Sequence, residues 1–96
     1  MALKKDVVQD NGLVLGYHRI ADIINIVNGK TLLEIYSYLN REEREKELNA
    51  NQDNNIIANV YISKSIEKLD YDDTLTIYQA YNYLKTLDKY KDAEDI

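Results

Sequence analysis

Residues 11–39 read NGLVLGYHRIADIINIVNGKTLLEIYSYL, and the way this stretch folds decides the rest of the chain. It opens on Asn11-Gly12 and carries a second Asn-Gly pair at Asn28-Gly29. Asn-Gly is the strongest local hairpin signal, because a type I′ turn needs positive φ at both central residues. The two turns divide the region into Leu3–Asp10, Leu13–Val27 and Lys30–Leu39, which reads as a three-strand antiparallel meander. With two-residue loops the register follows. The second hairpin pairs Ile24 with Leu33, Asp22 with Ile35, Ile20 with Ser37 and His18 with Leu39. The first pairs Val7 with Gly16, Gln9 with Val14 and Leu3 with Ile20. One face then collects Leu3, Val7, Val14, Ile20, Ile24, Ile26, Leu33, Ile35 and Leu39. The other collects Tyr17, Arg19, Ala21, Ile23, Leu32, Glu34, Tyr36 and Tyr38. A helical alternative places Ile20, Ile23, Ile24 and Val27, and again Leu32, Ile35, Tyr36 and Leu39, at helical spacing, with Gly29 just past a helix end. The density of β-branched residues and the agreement of both turns with one alternation favour strands.

Beyond this ribbon, Arg41, Glu42, Glu45 and Lys46 sit at spacings that support a short charged helix at 41–48. Residues 49–55 hold no apolar anchor and read as a mobile loop. Alternation resumes at 55–63, where Ile56, Ala58, Val60 and Ile62 share one side, so a fourth strand is expected there. Lys64–Leu69 either extends that strand or forms a turn. A C-terminal helix is expected at 73–87, with Asp72 or Asp73 as its N-cap. Ile77, Ala80, Tyr81, Leu84 and Leu87 would form its apolar stripe, the natural cover for the aliphatic sheet face. Asp92–Ile96 reads as a frayed tail. The expected fold class is α+β, in a single domain over residues 1–96.

Composition narrows the functional classes. The 96 residues include no cysteine, so disulfides, thiolate metal sites and cysteine nucleophiles are out of reach. Seventeen acidic against 12 basic residues give a net charge of −5, and no basic stripe is present to grip a phosphate backbone, so nucleic acid is not an expected partner. Met1–Asp6 carries Lys4 and Lys5 with no apolar stretch behind them, so a secretory leader is not expected. No apolar run approaches the ~20 residues that span a bilayer.

Individual residues offer little chemistry. His18 is the one histidine; the register places it near Lys5 and Leu39, which suits a structural histidine better than a base or a ligand. Asp70, Asp72 and Asp73 suggest a calcium loop, but the positions that need glycine and glutamate hold Leu75 and Tyr81. Glu42-Glu43 and Asp72-Asp73 are adjacent pairs that do not face one another on a helix. Ser37, Ser63 and Ser65 lack a nucleophile elbow, and the three glycines lie too far apart to cradle phosphate. No catalytic residue, cofactor or metal ligand is expected, and the reading is of a non-enzyme.

The aromatic content does carry a signal: nine Tyr, no Phe and no Trp. Tyr78, Tyr81 and Tyr83 are expected in or beside the core. Tyr17, Tyr36 and Tyr38 fall on the face the C-terminal helix need not cover. With Arg19, Ile23 and Leu32 they have the composition of a protein contact surface. The competing expectation is that Arg41–Leu48 folds back over this face.

Several segments resemble a group of short proteins encoded by phages and prophages of Gram-positive bacteria, Clostridium-like and Streptococcus-like hosts among them. They are Met1-Ala2-Leu3-Lys4-Lys5, Tyr17-His18-Arg19-Ile20, Glu34-Ile35-Tyr36-Ser37-Tyr38 leading into Arg41, Ala80-Tyr81-Asn82-Tyr83-Leu84-Lys85, and Asp92-Ala93-Glu94-Asp95. The resemblance spans nearly the whole chain and brings no catalytic or binding residues with it. It implies a virion component of the tail, baseplate or connector region, or an assembly factor. Such a protein would associate with itself or with other virion proteins, and would be located in the virion or the host cytoplasm. The alternative is an inhibitor of a host protein, favoured if Asp70, Asp72, Asp73, Asp88, Asp92, Glu94 and Asp95 share one face. A small-ligand accessory protein, with Lys4, Lys5, Arg19 and the tyrosines as contacts, is the third class.

Overall fold

The computed structural model describes residues 1–51 and 60–96. The chain runs through β1 (Leu3–Val8), β2 (Val14–Asn25), β3 (Lys30–Tyr38), α1 (Arg41–Asn51), β4 (Ser63–Asp70), α2 (Ile77–Leu84), a 3₁₀ turn at Asp88–Tyr90 and β5 (Glu94–Asp95). Among the described residues, five strands form one antiparallel sheet in the order β4-β3-β2-β1-β5. The α+β meander therefore stands, and residues 17–39 are strands, not helices. No described helix is long and apolar enough to cross a membrane.

Both turns are longer than expected. The Gln9 N–H donates to the Leu13 carbonyl and the Gly12 N–H to the Gln9 carbonyl, leaving a three-residue loop with Gly12 at φ +87°. That is a turn followed by a left-handed residue, which glycine adopts without a Cβ penalty. At the second turn Ile26 N–H donates to the Lys30 carbonyl and Gly29 N–H to the Ile26 carbonyl, with Asn28, not Gly29, at φ 60°. Each three-residue loop shifts its hairpin by one position, so Val7 pairs with Leu15 and Ile24 with Leu32. A bulge then shifts each a second time, between Lys4 and Val7 in β1 and between Ile20 and Asp22 in β2. Beyond the bulges Leu3 pairs with His18 and Ile20 with Ile35.

Side chains alternate with period two, so one slip exchanges faces and a second restores them. Leu3, Ile20, Leu33 and Ile35 accordingly reach the expected core face, where Ala80, Tyr81, Leu84 and Tyr90 cover them. Val7 and Ile24 move to the opposite face, and Val14, Ile26 and Leu39 are exposed. The β2 bulge frees the Ile20 N–H from the ladder, and the Tyr81 hydroxyl accepts it at 2.8 Å while donating to the Met1 carbonyl at 2.8 Å.

Other boundaries also move. The charged helix expected at 41–48 extends to Asn51, while residues 52–55 of the expected loop, and 55–59 of the expected strand, lie outside the described residues. Residues 60–62 are not strand; β4 is Ser63–Asp70, a segment whose sequence allows either a strand or a turn. The C-terminal helix spans 77–84 instead of 73–87. Its N-cap is Thr76, whose hydroxyl accepts from Gln79 N–H while the Gln79 side chain accepts from Thr76 N–H. Asp72 instead accepts from the backbone and hydroxyl of Thr74, which holds its carboxyl below the usual range. Tyr83 packs at the core edge, but Tyr78 and Ile77 are exposed. The expected frayed tail is β5, paired with Leu3 and Lys4 and closed by two backbone bonds between Ala2 and Ile96.

Candidate functional site

The sheet face opposite α2 carries Tyr17, Arg19, Leu32, Tyr36 and Tyr38, as their cross-strand pairs require. Ile23 does not belong with them. The Ala21 bulge turns it to the core side, where it pairs with Leu33 and packs against the buried cluster.

The tyrosine face is divided in two. Over one half lies α1, started by the Asn40 side chain, which accepts from Glu43 N–H at 3.1 Å. Glu42 and Glu43 in its first turn suit the positive end of the helix dipole. From α1, Glu47 reaches down to the sheet and is only 2% exposed. Its Oε1 accepts from the Tyr38 hydroxyl at 2.8 Å and from Arg44, and its Oε2 accepts from Val60 N–H at 2.9 Å. Arg19 donates through Nε to the Tyr38 hydroxyl at 2.8 Å and places its NH2 nitrogen 3.6 Å from the same carboxylate. Burial acts to raise the Glu47 pKa, but Val60 N–H, the Tyr38 hydroxyl and Arg44 outweigh it and hold the carboxyl below its ordinary value. Burial raises Tyr38, partly offset by Arg19. Tyr38 is fully buried, with Tyr17 edge-on to it at 5.5 Å and 81°. The expectation that Arg41–Leu48 folds back over this face holds for this half.

Among the described residues no helix covers the other half. The Arg19 guanidinium sits 5.0 Å from the Tyr36 ring centroid, and Tyr36 stacks on Tyr61 at 4.0 Å and 25°. A hydrogen bond with the Glu34 carboxylate pushes Tyr36 up to about 12. Leu32 is half-buried on the same face beyond Glu34, and Ile66 on β4, opposite Glu34, is 48% exposed between Lys64 and Lys68. Lys64 lies 3.5 Å from Glu34. β4 is an edge strand whose outer side pairs with no described strand.

The remaining candidates are separated. Lys4 lines a cleft of about 410 Å³ between the β1–β2–β5 region and the start of α1, with Tyr17, Asp6, Arg41, Glu42 and Glu94, so both signs of charge meet there. Lys5 donates to the Lys91 carbonyl, and Arg19 is engaged at Glu47. His18 is buried, with Nε2 2.8 Å from the Lys5 carbonyl and Nδ1 2.7 Å from the Ser37 hydroxyl. Its ring stands edge-on to Tyr90 at 5.3 Å. No three His, Asp or Glu side chains among the described residues converge as a metal site would need. The carboxylates expected to test the inhibitor reading are divided: Asp70 ends β4 at one sheet edge, and Glu94 and Asp95 form the other.

Glu47 and Tyr61 are the site residues that sequence reading missed. Within Arg41–Glu47, nothing separates Glu47 from Glu42, Glu43 and Glu45, because only the sheet beneath selects it. Comparisons of the chain with protein-family models, with curated proteins and with solved structures give no match.

Proposed function

We propose that this chain is a non-enzymatic structural or assembly protein of a phage particle, in the tail, baseplate or connector region. In this reading it works through protein–protein contacts, first of all with further copies of itself. The observation that supports this most is the half of the tyrosine face that no described helix covers. There Tyr36 and Tyr61 stack on the same face as exposed Ile66 and, beyond Glu34, half-buried Leu32, next to an edge strand. Aromatic anchors, an apolar centre and a rim of Lys64, Lys68 and Glu34 are what a contact surface of modest size requires.

The two sheet edges also differ in a way that suits repetition. On the tyrosine face β4 presents Lys64 and Lys68 around Ile66, while the far edge ends on Glu94 and Asp95. Two unlike edges fit head-to-tail contacts, which close into rings when the rotation allows. The resemblance to phage proteins points the same way. The host-inhibitor alternative calls for one acidic face, and the division of carboxylates between opposite edges favours assembly over it.

The test is the solution mass of the chain across a concentration series, for the native sequence and for Ile66→Lys. Concentration-dependent association that Ile66→Lys abolishes, with an unchanged circular dichroism spectrum, is the expected result. A native chain that stays monomeric at millimolar concentration, and is missing from purified particles, would overturn the proposal.

A further inference from the structure

α1 holds to the sheet in an unusual way. Its only apolar residues are Leu48 and Ala50, and Leu48 is 45% exposed. Over residues 41–50, Glu47 is the one buried side chain. Amphipathic helices normally dock by an apolar stripe; this one docks by a carboxylate. An eleven-residue helix does not persist alone in water, so α1 depends on that attachment for its existence as well as its position. Among the described residues the attachment is discrete, consisting of the Tyr38 hydroxyl, the Arg19 guanidinium and the Val60 N–H, with Arg44 supporting from within the helix. Beneath it lies Tyr38, fully buried yet outside the main core cluster.

We infer that α1 is a strap clasped by Glu47 that opens as a unit while the sheet stays folded, and that its opening uncovers the second half of the tyrosine face. Among the described residues the core on the far side involves Leu3, Ile20, Leu33, Ile35 and the C-terminal elements and no side chain of α1, so it survives the opening. A buried carboxylate that loses one donor is left desolvated and underpaired, so the clasp is stable as a set and weak when incomplete. Open, the face presents Tyr17, Arg19, Tyr36 and Tyr38 as one surface. Arg19 and the Tyr38 hydroxyl are then free to take a carboxylate from a second copy in place of Glu47. This consequence for docking rests on the proposed function, whereas the opening does not.

The test is amide hydrogen exchange, resolved by peptide, on the full chain. In the native sequence the amides of residues 41–51 should exchange at least about tenfold faster than those of β2 and β3, through a sub-global opening. Glu47→Gln keeps the shape but removes the charge, and should speed α1 exchange by a further factor of about ten while leaving β2 and β3 within about twofold. Tyr38→Phe should act in the same direction, and Leu48→Ala should do nothing. Equal rates for α1 and β3 in the native chain, or an equal rise in both in Glu47→Gln and Tyr38→Phe, would overturn the strap. Should α1 open in Glu47→Gln with no shift of self-association to lower concentration, the strap stands and its gating role falls. The Ile66→Lys comparison reads the contact surface independently of either outcome.

Discussion

His18 shows how a single residue can be fully explained by its surroundings. The Lys5 carbonyl can only accept, so Nε2 carries the proton and Nδ1 accepts from the Ser37 hydroxyl. Burial lowers the pKa from 6.5; the Lys5 and Leu15 backbone contacts and Asp6 oppose that shift, and Lys89 adds to it. With the folded value depressed, the unfolded chain takes up a proton first as pH falls. His18 therefore contributes fully above about pH 6.5, and stability declines as pH drops from there toward the folded value. Glu47 acts in a lower window, since its depressed carboxyl keeps its contribution above its ordinary value of 4.5 and loses it as pH falls further. Urea midpoints of the native chain at pH 7.5 and 5.5 should differ, and His18→Gln should flatten that difference. A native profile level across this range would refute the assignment. The sequence placed His18 near Lys5 correctly but missed Ser37, because the register slip that brings Ser37 opposite it is not a local property.

At the scale of elements, α2 shows which signals are read correctly and which mislead. Its stripe of Ala80, Tyr81 and Leu84 was legible from the 3.6-residue period and is buried. Its start was not found, because two aspartates upstream look like caps while Thr76-Ile77-Tyr78-Gln79 is the capping box in use. Asp72 is taken up by Thr74 and so leaves the helix start to Thr76. Thr76→Ala should cost about 1 kcal/mol in urea unfolding, and Asp73→Ala less than about 0.5 kcal/mol. A larger effect at Asp73 would restore the cap first expected. β4 was also half legible. Its Ser63–Asp70 pattern alternates cleanly between half-buried and exposed side chains, but it is charged enough to read as a turn. Lys64 and Lys68 on its outward face also blunt pairing by unwanted strands, a common protection for sheet edges.

At the scale of the molecule, the two ends of the sequence meet. Ala2 and Ile96 exchange two backbone hydrogen bonds, β5 pairs with β1, Lys85 pairs with Asp95 at 2.8 Å, and Tyr81 holds the Met1 carbonyl. Removing residues 94–96 strips this cover from β1. Two backbone bonds at roughly 1 kcal/mol net each correspond to about a 10 °C fall in melting temperature for a domain of this size. Thermal denaturation of the shortened chain should show that fall, together with greater light scattering from the bared strand edge. An unchanged melting temperature would mean that β5 adds nothing to the fold.

The sequence by itself determined the kind of fold, the two reversals, the strand character of residues 17–39 and the aliphatic identity of Leu3, Ile20, Leu33 and Ile35. These follow from local rules: the preference of Asn-Gly for turns, the shape of β-branched residues and the two periodicities. Only the tertiary structure decided the phase of the alternation, which sent Ile23 to the core and Ile24 away from it. Phase depends on one residue more or less in a loop or bulge, and such a bulge is held by a distant partner, as Tyr81 holds Ile20. The same dependence on distant contacts selected Glu47 among four similar glutamates, since a carboxylate becomes a clasp only where Tyr38, Arg19 and Val60 converge on it.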